Sequence, residues 1–204
     1  STIETFVRDR LVGEYWHLFP KENIFLYPKQ QIAEDLMKEY PTLASADMHA
    51  SDFQSVAVNV AERSPRALWC EDLRCSFMDE NGVVYGEAPA FSEPVYLSYY
   101  GSTTPLRRGY EGQAGSALPK QFLTPPEFQA LAALVDALAQ KISDSAVASV
   151  NIDANKDVRV QFANGFMLRF ALSDAGGDIF ERFSLALTSE PMTAHKLSDF
   201  EYLD

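Results

Sequence analysis

Three runs rich in apolar residues lie close together in the last third of the chain: Val147 to Ile152, Val158 to Phe162 and Phe166 to Leu172. Only Asp153 to Lys156 and Asn164-Gly165 separate them, and such polar intervals allow a tight turn but no crossover. The three are therefore expected to pair as an antiparallel meander. Just upstream, Phe128, Leu131, Leu134, Val135, Leu138 and Ile142 recur at helical spacing, the clearest amphipathic pattern in the sequence. Its start is marked by Thr124-Pro125-Pro126-Glu127, which offers an N-cap, a proline at the first helical position and a Glu three residues after the cap.

Shorter strand-like pieces precede that helix. Ala67-Leu68-Trp69 and Ser76-Phe77-Met78 flank a cysteine pair. Asp79-Glu80-Asn81-Gly82 reads as a turn because Asn-Gly tolerates positive φ, and Val83-Val84-Tyr85 returns from it. Val95 to Tyr100 is a further aromatic and β-branched run, whereas residues 101–123 carry Gly, Ser, Pro and charge without period and predict a long surface loop. Beyond the meander, Asp174 to Gly177 releases the chain into a helix bearing Ile179, Phe180, Phe183 and Leu187. Pro191 is expected to stop it, and Phe200 to Leu203 begins a final strand.

The N-terminal part reads differently. Ser1 and Glu4 have capping-box spacing, and Ile3, Phe6, Val7, Leu11 and Tyr15 predict one helix. A short apolar run from Ile24 to Tyr27 follows, and after Pro28 the residues Ile32, Leu36 and Tyr40 space a second helix that Pro41 ends. Val56, Val58 and Val60 then alternate with polar or small residues, with Leu43 to Ala50 as the hairpin partner. The fold class is thus α+β: a helix-helix-hairpin domain over residues 1–64, then an antiparallel β-rich domain with two helices over residues 65–204.

With 47% hydrophobic residues among 204, the chain can bury a core. Its 17 basic against 29 acidic residues leave a net charge of −12, and the only adjacent basic pair singled out, Arg107-Arg108, is short. Sequence-independent binding of a phosphate backbone is not expected. No apolar run reaches the roughly 18 residues of a bilayer span. The chain opens on Ser1 with no charged-then-apolar leader, which predicts a mature or excised piece of a longer protein.

Cys70 and Cys75 are the only cysteines, separated by Glu71-Asp72-Leu73-Arg74. Four residues suit a tight turn between strands whose facing Cβ atoms meet disulfide geometry, so a bridge is expected, with two free thiols as the alternative. A bridge implies an extracytoplasmic compartment. A zinc site would need two further ligands, and His17, His49 and His195 stand far apart. Asp153, Asn155 and Asp157 match the start of a calcium loop, but Val158 and Asn164 replace its Gly and closing Glu. No nucleophile elbow, zinc-protease helix or phosphate loop occurs. Trp16, Trp69, Tyr96, Tyr99 and Tyr100 read as core, with a ligand groove as the alternative. No catalytic, cofactor-binding or metal-binding residue is expected.

The segment Glu62-Arg63-Ser64-Pro65 with Ala67-Leu68-Trp69, followed by Met78-Asp79-Glu80-Asn81-Gly82-Val83-Val84-Tyr85, resembles the bacterial cell-division family FtsQ/DivIB. The run from Asn23 to Tyr27 with Tyr40-Pro41, the turn Asn164-Gly165-Phe166 and the closing Glu201-Tyr202-Leu203-Asp204 resemble further segments of that family in the same order. The resemblance implies a POTRA-like domain at 1–64 lacking its first strand, and a β domain at 65–204 with an unusually long loop at 101–123. A membrane helix is expected upstream of Ser1 and a further strand after Asp204. The implied protein is a non-catalytic divisome scaffold on the outer side of the cell membrane. Its partners would be other membrane-anchored division proteins of the FtsB/FtsL type, with no nucleic acid and no small-molecule substrate. Binding would occur by strand addition at a sheet edge near Phe200, Glu201, Tyr202 and Leu203. Two other readings stand beside it: a POTRA-type module of a secretion or outer-membrane assembly system, and a secreted hydrolase or carbohydrate binder using the tyrosines.

Overall fold

The structure, a computed structural model, describes residues 2–11, 14–15, 19–20, 28–51, 55–106, 118–142, 145–190, 197–200 and 202–203. It is a mixed α+β fold with four α-helices among the described residues and one large, mostly antiparallel sheet. The chain divides into two compact units, Ser1–Arg63 and Ser64–Asp204.

In the first unit, α1 (Thr2–Leu11) and α2 (Lys29–Glu39) each bury a narrow stripe: Val7 from α1, and Ile32, Ala33 and Leu36 from α2. The N–H of Tyr40 donates to the carbonyl of Leu36 at 2.9 Å, closing α2 just before Pro41. The expected extension of the first helix to Tyr15 is overturned. Helical pairing ends at Leu11, and Tyr15 instead belongs to β1 (Glu14–Tyr15), which pairs with β2 (Phe19–Pro20). Strands β3 (Leu43–Ala50) and β4 (Val56–Glu62) form an antiparallel hairpin in which Leu43 and Met48 are buried. Val56 and Val58 pack on this small core, whereas Val60 is 41% exposed. The apolar run at 24–27 lies outside the described residues.

Among the described residues the second unit is built on ten strands in the spatial order β14-β13-β12-β11-β8-β5-β6-β7-β10-β9. Their ranges are β5 (Ala67–Glu71), β6 (Arg74–Met78), β7 (Val83–Glu87), β8 (Ser98–Tyr100), β9 (Thr104–Pro105), β10 (Lys120–Gln121), β11 (Val147–Ile152), β12 (Asp157–Phe162), β13 (Met167–Ala171) and β14 (Tyr202–Leu203). The β11–β12–β13 meander is antiparallel throughout. Three ladders run parallel: β5 with β8, β8 with β11, and β13 with β14. A parallel pair needs a long connection between its strands. The sequence provides two helical ones, α3 (Pro125–Lys141) between β8 and β11, and α4 (Ile179–Leu187) between β13 and β14.

Both helices serve one core. Phe128, Leu131 and Leu138 of α3 and Phe183 of α4 are at most 2% exposed and pack with Trp69, Val150, Val160 and Phe162 from the sheet. Each such side chain contributes roughly 1.5–3 kcal/mol on leaving water. Two sequence expectations need correction in this unit. Residues 101–123 are not one loop, because β9 and β10 lie within them and Phe122 and Leu123 are buried. Lys120-Gln121 pairs with Val83-Val84 and so carries the following two residues into the core. The strand expected from Val95 begins only at Ser98, because the preceding residues form an irregular segment over β5 and β6.

Candidate functional site

Two features gather the residues that the sequence singles out, a bridged hairpin and a sheet edge. At the hairpin, Cys70 and Cys75 face each other in the β5–β6 register with Cα atoms 4.1 Å apart and sulfurs bonded at 2.04 Å. The turn is shorter than its four-residue interval suggests. Glu71 and Arg74 still pair as strand residues, and only Asp72 and Leu73 turn the chain. Asp72 takes a left-handed φ of 53°, which a short polar side chain tolerates. Close, directly opposed positions of an antiparallel pair bring the two Cβ atoms within bridging range.

The edge lies at one end of the strand order, whereas β5 and β6 are in its middle. Tyr202 pairs with Met167 and Leu203 with Leu168, so β14 is held on one side by β13. Among the described residues no strand occupies its other side. Leu203 and Phe200 rest against the α3/α4 core, while Tyr202 is 52% exposed on the opposite face. There the guanidinium of Arg169 lies 5.1 Å from the centre of the Tyr202 ring, a cation–π contact that orients the ring. Glu201 lies outside the described residues.

Beside this edge the sheet face is polar. Arg159 is directly opposite Arg169 across the β12–β13 ladder, a repulsive arrangement that Asp153 relieves by accepting from the Arg159 guanidinium at 2.9 Å. The Asp153 carboxylate is held below its ordinary pKa, first by the N–H of Asp157 and also by that of Asn155 and by Arg159. The residues expected as a calcium-loop look-alike thus form an Asx-type hairpin turn that anchors an arginine. Asn164 acts similarly at the next turn, where its side-chain oxygen accepts from the N–H of Phe166 and Gly165 adopts a φ of +95°.

The tyrosines do not form one cluster. Tyr99 lies on the helix side of the sheet, 3% exposed, with its ring against Phe122 and Phe128. Burial pushes its hydroxyl pKa up. Trp69 is also core, its indole N–H donating to the carbonyl of Gly101 at 2.9 Å. Tyr96 is on the other face, with Phe77 and Phe91. Their separation follows from spacing: Tyr96 and Tyr99 are three residues apart, and an odd interval along extended chain puts side chains on opposite faces.

Among the described residues no group of three or more His, Cys, Asp or Glu side chains stands ready to hold a metal ion. His49 lies on β3 beside Asp47 at 3.6 Å, and His17 and His195 fall outside the described residues. Also among the described residues, no helix is long and apolar enough to cross a membrane. Arg169 and residues 87–94 carry no sequence signal of their own, whereas Tyr96 is already a candidate in the sequence for core or for a ligand groove. No protein-family model matches the chain, and no curated protein matches it.

Proposed function

We propose that the chain is the extracytoplasmic part of a bacterial divisome scaffold of the FtsQ/DivIB kind. Its first unit would be POTRA-like, and its second unit would capture a membrane-anchored partner of the FtsB/FtsL type by adding a strand to the edge of β14. The carrying observation is the position of β14 at the end of the ten-strand order, its outer side without a strand among the described residues. Such an edge presents backbone N–H and C=O groups in a row, the usual basis of strand addition. Three further observations support the reading. The two helices and the β3–β4 hairpin of the first unit, with the short β1–β2 pair between the helices, suit a POTRA-like module. The division between the units falls inside the Glu62-Arg63-Ser64-Pro65 segment that carries the resemblance. The Cys70–Cys75 bridge suits an oxidising compartment.

The test is pull-down of the extracytoplasmic segments of membrane-anchored division proteins from the same cell, using the chain and its Tyr202→Pro variant. Proline removes a backbone donor and locks φ, so it should abolish capture while leaving the melting temperature within a few degrees. Capture that survives in the variant, or no capture of any such segment by the parent chain, would overturn the proposal.

A further inference from the structure

A groove of about 460 Å³ lies on the sheet face opposite α3, between the bridged β5–β6 hairpin and the segment 87–96. The segment leaves β7 at Glu87, which pairs with Ser76 of β6, and next to it the N–H of Ala88 donates to the carbonyl of Cys75 at 2.9 Å. The floor is aromatic, with the Tyr96 and Phe91 rings 5.7 Å apart and both meeting Phe77. Apolar side chains around it stand in water: Leu73 is 100% exposed at the hairpin tip and Val95 is 64% exposed, and Phe91 on the floor is itself 38% exposed. A fully exposed leucine on a turn fixed by a disulfide offers apolar contact area on backbone that is already ordered.

The charges around this groove select an occupant. Glu71, Glu87 and Glu93 line it, and among the described residues Arg74 is the only cationic side chain that does. Among the described residues none of these three carboxylates makes an ion pair or a side-chain hydrogen bond. We infer that the groove binds an extended peptide segment of a partner protein that places an apolar or proline anchor between basic side chains. The anchor would lie on Tyr96 and Phe91 against Leu73, and the basic groups would meet the rim glutamates. Aromatic-lined grooves with carboxylates at the rim suit the preformed, low-entropy backbone of proline-containing segments. A second copy of the chain is a poor occupant, because it brings a net charge of −12 to an already acidic rim. This site is remote in strand order from β14 and does not depend on capture at that edge.

The test uses the full chain, ¹⁵N-labelled, titrated with the peptide acetyl-Lys-Pro-Leu-Pro-Arg-amide and with its counterpart bearing Glu at both ends. Saturable amide shifts confined to residues 71–76 and 87–96 are expected from the basic peptide alone. The double variant Glu87→Gln/Glu93→Gln should weaken binding about five- to tenfold, and Leu73→Ser should weaken it by at least about tenfold. Both changes are at exposed positions, so an unchanged melting temperature separates lost binding from lost fold. Tyr202→Pro should leave the titration unaltered, which keeps a failure here distinct from a failure at the β14 edge. Equal shifts with both peptides, no shifts with either, or variants that bind like the parent would overturn the inference. So would concentration-dependent dimerisation that protects the same amides.

Discussion

Gly101 shows how much one residue position can carry. Its φ is +146°, a region that L side chains rarely adopt, and an added Cβ would stand 2.7 Å from the carbonyl oxygen of Ile152. The carbonyl of the same residue accepts the indole N–H of Trp69, so a shift of the backbone here would also disturb a buried donor. Gly101→Ala is expected to cost about 2–4 kcal/mol, read as a fall in the urea midpoint without a change in slope. A loss below about 1 kcal/mol would show that the neighbouring strand relaxes freely. Nothing local in the sequence marks this glycine, which looks like the first residue of a loop. The cysteines are the contrary case, since their five-residue separation and flanking strand residues already point to a bridge across a hairpin.

At the scale of elements, helix α3 depends on a carboxylate that reaches beyond its own turn. Glu127 accepts the backbone N–H of Thr124 at 3.1 Å and its hydroxyl at 2.7 Å, and also the ammonium of Lys156 at 2.7 Å. The capping box is legible in Thr124-Pro125-Pro126-Glu127, but the link to the β11–β12 turn requires the folded chain. Lys156, first, and then Thr124 pull the Glu127 pKa from 4.5 down to about 2. A depressed carboxylate contributes stability that is fully present above its unfolded pKa and is lost as pH falls through the folded value. The stability advantage of the parent over Glu127→Gln should therefore be constant from pH 7 to about 5 and shrink towards zero between pH 4.5 and 2. Urea melts of both proteins at pH 7, 4 and 2.5 measure this. An advantage unchanged at pH 2.5 would exclude the linkage. Strands β9 and β10 are the elements least legible in sequence, because two residues make no pattern and only pairing with β7 and with each other gives them a place.

At the scale of the molecule, the two units have separate cores. One is built on Val7, Ile32, Leu36, Leu43 and Met48, and the other, much larger, on α3, α4 and one face of the ten-stranded sheet. A domain with its own core and few outside obligations folds alone. Residues 64–204 expressed by themselves should unfold in one cooperative transition with the Cys70–Cys75 bridge formed, as followed by circular dichroism and non-reducing mass spectrometry. A non-cooperative melt, or free thiols after oxidative refolding, would show that the larger unit relies on the smaller. The net charge of −12 bears on association and not on fold, since it lets basic partner segments approach and discourages phosphate backbones. By itself the sequence determined most helices and strands, the cap of α3, the hairpin turns, the α+β class and the cysteine pair, because each is set by spacing within a few residues. The tertiary structure alone decided the strand order, with β14 at one end of it among the described residues, and the three parallel ladders. Those depend on which distant strands meet, and side-chain periodicity describes a strand's faces but not its neighbours.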